Sequence, residues 1–301
     1  MLTLEHLAEL LSANREAAQV QVREFSLRGQ LFDFNRRRFI MGVINLSSES
    51  WYRESVCLAA EQGIRRGSML QTQGAHLVDI GAESTLAHAA RVDDAMQQSI
   101  LLPVVKGLVE RKVLVSVETY EPRVARACLD AGAAVINLTG TAGSEEIYQM
   151  AAAHDAGVII CYVQGNNVRE VTDFDFGKDP VDLMHDYFAR EIELATKCGA
   201  AKILIDPGLG FYYRNLQDSA VRVRHQMKTF LNSFRLRLLG VPVCHALPHA
   251  FEYFGEEVRS AEAFFAVLAA LGKTDLFRTH EVPKIKAVLD TLSVYQDSAG
   301  S

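Results

Sequence analysis

The sequence predicts an α/β fold of the closed (β/α)8 type, in which eight parallel strands form a barrel inside a ring of helices. From residue 38 onward, short apolar runs alternate with longer amphipathic segments, and no linker interrupts them. Runs that are apolar throughout are typical of parallel strands buried on both faces. Eight strands and eight helices fit into 301 residues, and a barrel of this type needs about 250. Since no glycine-rich dinucleotide motif follows the first run, a closed barrel is favoured over an open doubly wound sheet.

The first 37 residues are predicted to form an extension that packs on the barrel. Residues 2–18 carry leucines at helical spacing, which indicates a helix. A turn signal at Arg28-Gly29 lies between the apolar segments 20–25 and 31–34, which predicts a hairpin. A hairpin ahead of the first strand is expected to close the floor of the barrel, so this segment is interpreted as structural.

The barrel is predicted to occupy residues 38–295 and to be followed by a short tail at 296–301. Its strands are predicted at 39–44, 77–81, 113–117, 134–136, 158–163, 203–205, 241–244 and 275–277. Its helices are predicted at 56–73, 93–110, 121–131, 144–154, 180–198, 219–239, 260–271 and 282–292. The last helix has apolar residues along one face and Pro283 in its first turn, where a missing N–H costs little.

Composition and charge exclude several functional classes. The formal net charge is −6, whereas a surface that binds nucleic acid is usually basic. The sequence has no apolar run of about 18 residues and no leader-type segment, so neither a membrane span nor a signal peptide is expected. The five cysteines are scattered and odd in number. This pattern fits a reducing cytoplasm and argues against disulfides or paired metal ligands.

Polar residues stand where several predicted strands end. Glu118, Asn137 and Asp206 end the third, fourth and sixth strands, and such strand ends meet at one mouth, where the active site of a barrel lies. Two acids and an amide can accept from and donate to a planar heterocycle that carries an amino group beside ring nitrogens. Gln164, after the fifth strand, would add a second amide. The alternative is that any one of these acids only caps a helix.

A second group of residues is suited to binding an anion. Arg278 and His280 close the eighth strand just before a helix, whose N-terminus favours negative charge. Thr85 lies beyond the second strand and could donate its hydroxyl to phosphate oxygens. Asn45, at the end of the first strand, could ligate Mg²⁺, which prefers oxygen ligands. A surface salt bridge is the alternative for Arg278, but His280 points the same way and favours an anion site.

Four motifs in this order resemble dihydropteroate synthase. They are residues 41–46 (MGVINL), 79–85 (DIGAEST), 116–120 (SVETY) and 206–211 (DPGLGF), and the resemblance extends over about residues 38–292. It implies that a pterin pyrophosphate sits in the barrel mouth and loses pyrophosphate with the help of Mg²⁺. The amine of p-aminobenzoate, or a related aromatic amine, would then attack the exposed methylene carbon.

The resemblance also implies a role for individual residues. These are Asn45 toward Mg²⁺ and pyrophosphate, Thr85 toward pyrophosphate, Glu118, Asn137 and Asp206 toward the pterin ring, Phe211 near the aminobenzoate, and Arg278 and His280 as the anion pair. The implied partners are therefore a pterin and an aromatic amine, with neither nucleic acid nor a membrane.

The sequence departs from the family pattern at several positions. Glu118 stands where the family usually has aspartate, and Leu86 stands where its second loop has arginine. His249 replaces the lysine of a Ser-Arg-Lys motif on the seventh strand and, as an ordinary imidazole, would be mostly neutral near pH 7. Fewer cations mean weaker stabilisation of a leaving pyrophosphate. We therefore expect dihydropteroate formation to be weak or absent while pterin binding persists.

Two other functions stay open at this point. The same barrel could bind a reduced folate and transfer its methyl group, as corrinoid-linked methyltransferases of the superfamily do. That chemistry needs no pyrophosphate site, so Asn45, Arg278 and His280 argue against it. A catalytically silent pterin-binding homologue is favoured by the lost loop cations and disfavoured by the retained polar residues. The sequence leaves the oligomeric state open, a homodimer included.

Overall fold

The computed structural model describes residues 1–47, 55–83, 91–168, 173, 179–210 and 218–297. The chain begins with helices α1 (Leu4–Ala13) and α2 (Arg15–Gln19), which meet at Asn14 instead of forming the one helix predicted over 2–18. An antiparallel hairpin follows, in which a two-residue turn joins β1 (Phe25–Leu27) to β2 (Gln30–Phe32). Its turn residues, at positions 28 and 29, both have positive φ, as the twist of a tight hairpin requires.

This hairpin closes the floor of the barrel. Leu27 and Phe32 are buried in one cluster with residues from the N-terminal halves of the barrel strands, among them Phe39 and Leu276. The Phe32 and Phe39 rings lie 4.6 Å apart. Burying a phenylalanine side chain stabilises a fold by about 1.5–3 kcal/mol. The contacts on the floor therefore fix the extension firmly to the barrel.

Eight parallel strands form the barrel, and each lies beside the next in chain order. They are β3 (Phe39–Asn45), β4 (Leu77–Gly81), β5 (Val115–Thr119), β6 (Val135–Leu138), β7 (Gly157–Cys161), β8 (Ile203–Asp206), β9 (Cys244–Ala246) and β10 (Leu276–Thr279). β10 pairs with both β9 and β3, and a parallel bridge from Ile205 to Val243 brings the two remaining edges together. Nearly every strand residue is buried, which explains why the runs are apolar on both faces. The predicted barrel is confirmed.

Helices surround the strands. They are α3 (Ala60–Thr72), α4 (Asp94–Glu110), α5 (Pro122–Asp130), α6 (Ser144–Ala153), α7 (Pro180–Lys197), α8 (Ser219–Asn232), α9 (Phe251–Phe254), α10 (Ala261–Leu271) and α11 (Val282–Asp297). Asp93, Asp179 and Asp218 accept a hydrogen bond from the first turn of the helices that follow them, as good N-caps do. Among the described helices, none is long and apolar enough to cross a membrane.

The helix predicted over 219–239 breaks near its middle. α8 ends at residue 232 and is followed by a 3₁₀ helix, Ser233–Leu239. Ser233 Oγ donates to the Thr229 carbonyl at 2.7 Å, and hydroxyl bonding of this kind competes with the helical ladder. The predicted boundary is therefore wrong, since the α-helix ends at residue 232 and not at 239.

Several predicted strands lie closer to the barrel mouth than expected, among them β5, which covers 115–119 and not 113–117. The strand predicted over 241–244 begins only at Cys244, because Pro242 has no N–H to donate to the ladder. The strand predicted over 275–277 runs from Leu276 to Thr279. Arg278 is therefore part of the last strand instead of following it, and the backbone of that strand fixes its position.

Candidate active site

The strand ends open into a cavity that collects most of the residues predicted from the sequence. Seven of them line it, namely Asn45, Glu118, Asn137, Asp206, His249, Arg278 and His280. Gln164 is not among the described residues that line it, and its amide donates to the Tyr162 hydroxyl at 2.7 Å. Thr85 and Phe211 lie outside the described residues.

Asp79, in the middle of β4, joins the strand-end residues into one network. Its carboxylate is fully buried. Oδ1 accepts from Ser116 Oγ at 2.6 Å, and Oδ2 accepts from Asn137 Nδ2 at 3.1 Å and from Arg278 Nε at 2.7 Å. Sequence reasoning did not assign Asp79 to the site. A single acid inside an apolar strand is the signal that could have found it, because a buried carboxylate needs partners.

Arg278 lies between two acids. Its Nε donates to Asp79 and its Nη2 donates to Glu118 Oε2. Burial alone would lower the pKa of Arg278, but the two carboxylates raise it, so the guanidinium stays cationic. Two of its donor groups are therefore engaged in holding acids. Anion binding by Arg278 stays a prediction, and it would have to use the three remaining N–H donors on Nη1 and Nη2 or a rearranged guanidinium.

Strand register places the remaining polar side chains side by side. Glu118 lies opposite Asn137 in the pairing of β5 with β6, and Cys161 lies opposite Asp206 in the pairing of β7 with β8. Cys161 Sγ lies 3.5 Å from Asn137 Oδ1. Asp206 Oδ1 accepts from the Gly208 N–H at 2.8 Å. Two acids, an amide and a thiol thus face one space.

Burial shifts both of these acids toward neutral pH. It raises the pKa of Glu118 to about 7, although Arg278 opposes the shift. It raises the pKa of Asp206 to about 6, although the Gly208 N–H and Arg278 oppose it. Charge repulsion from Asp79 adds to the shift at both positions. Near pH 7 the two carboxyl groups can therefore change between accepting and donating a hydrogen bond to a ligand.

Asn45 and Glu83 also line the cavity and supply oxygen atoms. Asn45 Nδ2 donates to the buried Ser55 Oγ at 2.5 Å, which orients the amide and directs its Oδ1 away from Ser55. Glu83 accepts from the Tyr120 hydroxyl at 2.5 Å and from the Val92 N–H at 3.1 Å. An amide carbonyl and a carboxylate are ligands that Mg²⁺ accepts, so the donor set present here fits the predicted metal.

The cavity has a further cation that sequence reasoning missed. Arg222, on α8, lines it, and its buried guanidinium lies 2.7 Å from each carboxylate oxygen of Glu252 through Nη2. An arginine in an amphipathic helix carries no signal that separates it from a surface residue. Leu247, Pro248 and Phe251 add an apolar rim nearby.

Two histidines and one acid form a compact cluster at the edge of the cavity. His249 Nε2 and His280 Nδ1 lie 2.8 Å and 3.0 Å from Glu262 Oε1. Burial would raise the pKa of Glu262, but hydrogen bonds from both histidines outweigh it and hold that pKa well below its usual range. Burial lowers the pKa of His280, and Glu262 opposes that shift. The sequence gave no signal for Glu262, since an acid in the first turn of a helix is ordinary.

Comparison with known proteins identifies the family to which this barrel is similar. A sequence profile of the pterin-binding enzymes matches residues 41–280. The dihydropteroate synthase of Synechocystis sp. is 30% identical over 187 residues, which is 60% of this chain and 64% of that protein. The dihydropteroate synthase of Escherichia coli K12 is 26% identical over 268 residues, or 86% of this chain and 93% of that protein.

Other relatives are longer, and the match spans 30%, 39% and 32% of three of them. The chain thus covers less than two thirds of the length of several curated relatives. A solved structure of the Xanthomonas albilineans dihydropteroate synthase with 4-aminobenzoic acid superimposes with a TM-score of 0.76 at 26% identity, covering 93% of this chain and 100% of that one. The profile begins in the first barrel strand and ends at His280, after the last. The chain belongs to the pterin-binding enzyme family.

Proposed function

We propose that this chain is a dihydropteroate synthase-like transferase that binds a pterin in the barrel mouth and condenses it with an aromatic amine. The observation that carries the proposal is the buried network of Asp79, Asn137, Glu118 and Arg278, with Asp206 beside it. It presents acceptors and donors to one planar ligand in a barrel of this family. The relatives named dihydropteroate synthase support the same reaction class.

The network explains how a pterin ring would be held. Glu118 and Asp206 offer carboxylate oxygens to the amino group and ring N–H of the heterocycle. Asn137 donates one amide N–H to Asp79, and its carbonyl oxygen, which lies 3.5 Å from Cys161 Sγ, can also accept from the ring. Arg278 holds Asp79 and Glu118 in place. Side chains that are already held by such hydrogen bonds lose little conformational entropy when a ligand binds.

The condensation would then exchange one bond for another at the pterin methylene carbon. Its bond to the pyrophosphate oxygen breaks, the pyrophosphate leaves with the electron pair, and the amine nitrogen forms the new bond and loses a proton. Asn45 Oδ1 would hold Mg²⁺, with Glu83 as a second oxygen ligand. A bound Mg²⁺ would neutralise part of the charge on the leaving pyrophosphate. Arg278 and His280 would face the same anion.

The departures from the family pattern predict a slow reaction. Leu86 stands in place of the second-loop arginine, and Pro248 and His249 stand in place of the arginine and lysine of the Ser-Arg-Lys motif, so two loop cations are missing. Each missing charge-assisted contact costs about 1.5–3 kcal/mol, and two of them would slow the step by about two to four powers of ten. Arg53 and Arg91, which follow the first and second barrel strands in the sequence, are candidate sources of compensation, and so is Arg222, which lines the cavity. The homodimer and the cytoplasmic location remain predictions.

Two measurements test the proposal. A pyrophosphate-release assay with dihydropterin pyrophosphate and p-aminobenzoate measures the transfer, and calorimetric titration with a pterin measures binding. Asp206→Asn replaces an acceptor by a donor and should weaken pterin binding about tenfold to more than a hundredfold. Asp130→Asn, which removes a mostly exposed acid paired with His154, is the matched control and should bind normally.

The outcomes separate the parts of the proposal. Pterin binding without turnover would indicate a homologue that has lost the transfer step. No pterin binding at all would overturn the proposal, and so would equal binding by Asp206→Asn and Asp130→Asn. A turnover of about 1 s⁻¹, at the low end of ordinary enzymes, would show that the missing cations do not limit the rate of the transfer step in this chain.

A further inference from the structure

We infer that His249, Glu262 and His280 form a binding site for a divalent transition-metal ion, with Zn²⁺ as the best match. The three ligand atoms, two imidazole nitrogens and one carboxylate oxygen, all lie within 4.8 Å of one another. They come from three separate elements: His249 follows β9, His280 follows β10, and Glu262 lies in the first turn of α10. The site would be distinct from the oxygen ligands at Asn45.

The spacing of the ligand atoms is close to that required by a metal. Zn²⁺ binds nitrogen and oxygen ligands at about 2.0–2.1 Å, so two ligands in a tetrahedral shell lie about 3.3 Å apart. The two nitrogens here lie 2.8 Å and 3.0 Å from Glu262 Oε1. These two separations are a few tenths of an ångström short of the tetrahedral spacing, and the two nitrogens lie within 4.8 Å of each other, so the three atoms surround a space of the size that the ion requires.

Outer hydrogen bonds hold the carboxylate in position. Thr279 Oγ1 donates to Glu262 Oε2, and the His280 backbone N–H lies 3.3 Å from Oε1. Outer partners of this kind orient the ligands of protein metal sites. Glu262 is also fully buried, and a buried carboxylate needs positive charge nearby. A divalent cation between the two imidazoles would supply it.

The ligand types select the metal. Imidazole nitrogen suits Zn²⁺, Co²⁺ and Fe²⁺, whereas Mg²⁺ prefers an all-oxygen shell. His249 and His280 line the cavity, so a fourth position on the metal would face the space where a ligand enters. Three protein ligands with one open position are typical of reactive zinc sites and not of closed structural ones.

The experiment uses the full chain, freed of metal by a chelator and titrated with Zn²⁺ by calorimetry and with Co²⁺ by visible absorption. We expect one equivalent of either ion and intense Co²⁺ bands typical of four- or five-coordination, with no competition from millimolar Mg²⁺. His249→Gln and Glu262→Gln should each weaken Zn²⁺ binding by about 100-fold or more, because removing a ligand exceeds the 10- to 100-fold loss typical of an outer partner.

Matched variants distinguish this site from incidental binding. His185→Gln removes a half-exposed histidine on α7 and Cys198→Ser removes the only cysteine that is not buried, and both should bind Zn²⁺ as the original chain does. His249→Cys supplies a thiolate ligand and should restore binding where His249→Gln loses it. Circular dichroism of the metal-free variants checks that each one folds.

Several results would overturn the inference. These are unchanged Zn²⁺ affinity in folded His249→Gln and Glu262→Gln, loss of the bound ion in Cys198→Ser, or no Co²⁺ absorption at one equivalent. In each case Glu262 would serve only to orient two histidines. The readouts are metal binding and absorption, so the result is independent of whether the proposed transfer reaction is found.

Discussion

Asp79→Asn is the substitution that tests the central network of the site most directly. It keeps the size of the side chain and removes the negative charge that Arg278 Nε and Asn137 Nδ2 share at 2.7 Å and 3.1 Å. If the new amide oxygen stays on Ser116, its NH₂ group faces both of these donors. The change therefore breaks one charge-assisted contact and leaves donors facing donors in a buried place.

The cost follows from the burial of the pair. Removing one partner of a buried ion pair typically destabilises a protein by about 3–5 kcal/mol, because the other charge stays buried. Glu118 still accepts from Arg278 Nη2, so we expect a loss near the lower end, about 3 kcal/mol. Asp155→Asn is the control, since its carboxylate lies 2.6 Å from Lys202 Nζ but its side chain is 81% exposed. Such surface pairs contribute about 0–1 kcal/mol.

Urea unfolding followed by circular dichroism measures both variants on one scale. A midpoint shift in Asp79→Asn that is several times larger than in Asp155→Asn supports the network. A double-mutant cycle with Arg278→Gln assigns the loss, because a coupled pair shows an interaction energy of about 0.5–3 kcal/mol. The reasoning would be refuted if Asp79→Asn and Asp155→Asn lost equal stability, or if the interaction energy between positions 79 and 278 were near zero.

Three further outcomes follow from the structure. Burial raises the pKa of Glu118 to about 7 and that of Asp206 to about 6, so the ionised forms that accept hydrogen bonds are lost as pH falls. Calorimetry should therefore find weaker pterin binding at pH 5.5 than at pH 8, and an affinity that does not change with pH would contradict this. Burial lowers the pKa of His245 to about 3, so the folded state resists its protonation. Between pH 6.5 and pH 5, the free energy of unfolding measured in urea should therefore fall by about 1.5–2 kcal/mol relative to that of His245→Gln, and an unchanged difference between the two chains would refute this. Phe32→Ala on the barrel floor should cost about 3–5 kcal/mol, whereas Leu31→Ala, 51% exposed on the same strand, should stay within about 0.5 kcal/mol; similar losses in both would refute the closed floor.

The fold was accessible from the sequence because one physical requirement repeats eight times. Strands buried on both faces must be apolar throughout, and the polar residue after each run marks where the strand leaves the core. Boundaries were less accessible, because they depend on single side chains. Pro242 delays the start of one strand, and one predicted helix continues as a 3₁₀ helix from Ser233. Neither change can be read from hydrophobic periodicity.

The sequence predicted which residues line the site better than it predicted which of them hydrogen-bond to one another. A strand end predicts that Glu118 and Arg278 face the mouth, but not that they bind each other across 160 residues of sequence. Asp79 was missed because it lies in the middle of its strand and not at the end, and Glu262 because acids are common in first helical turns. Which side chains bond to each other depends on their positions in three dimensions. A sequence therefore indicates candidate site residues but does not determine their hydrogen-bond network.

The charges at the mouth also bear on why an anion would need a metal here. Glu83, Glu118 and Asp206 line the cavity. Of the described residues that line it, the two arginines, Arg222 and Arg278, each hold acids at hydrogen-bond distance. A pyrophosphate that enters this space meets carboxylates whose countercharges are already engaged, and the field of neighbouring charges then opposes binding. Protonation of Glu118 near neutral pH relieves only part of that repulsion. We therefore expect anion affinity to depend on added divalent cation far more than affinity for the uncharged pterin ring does, and calorimetry with each ligand alone separates the two.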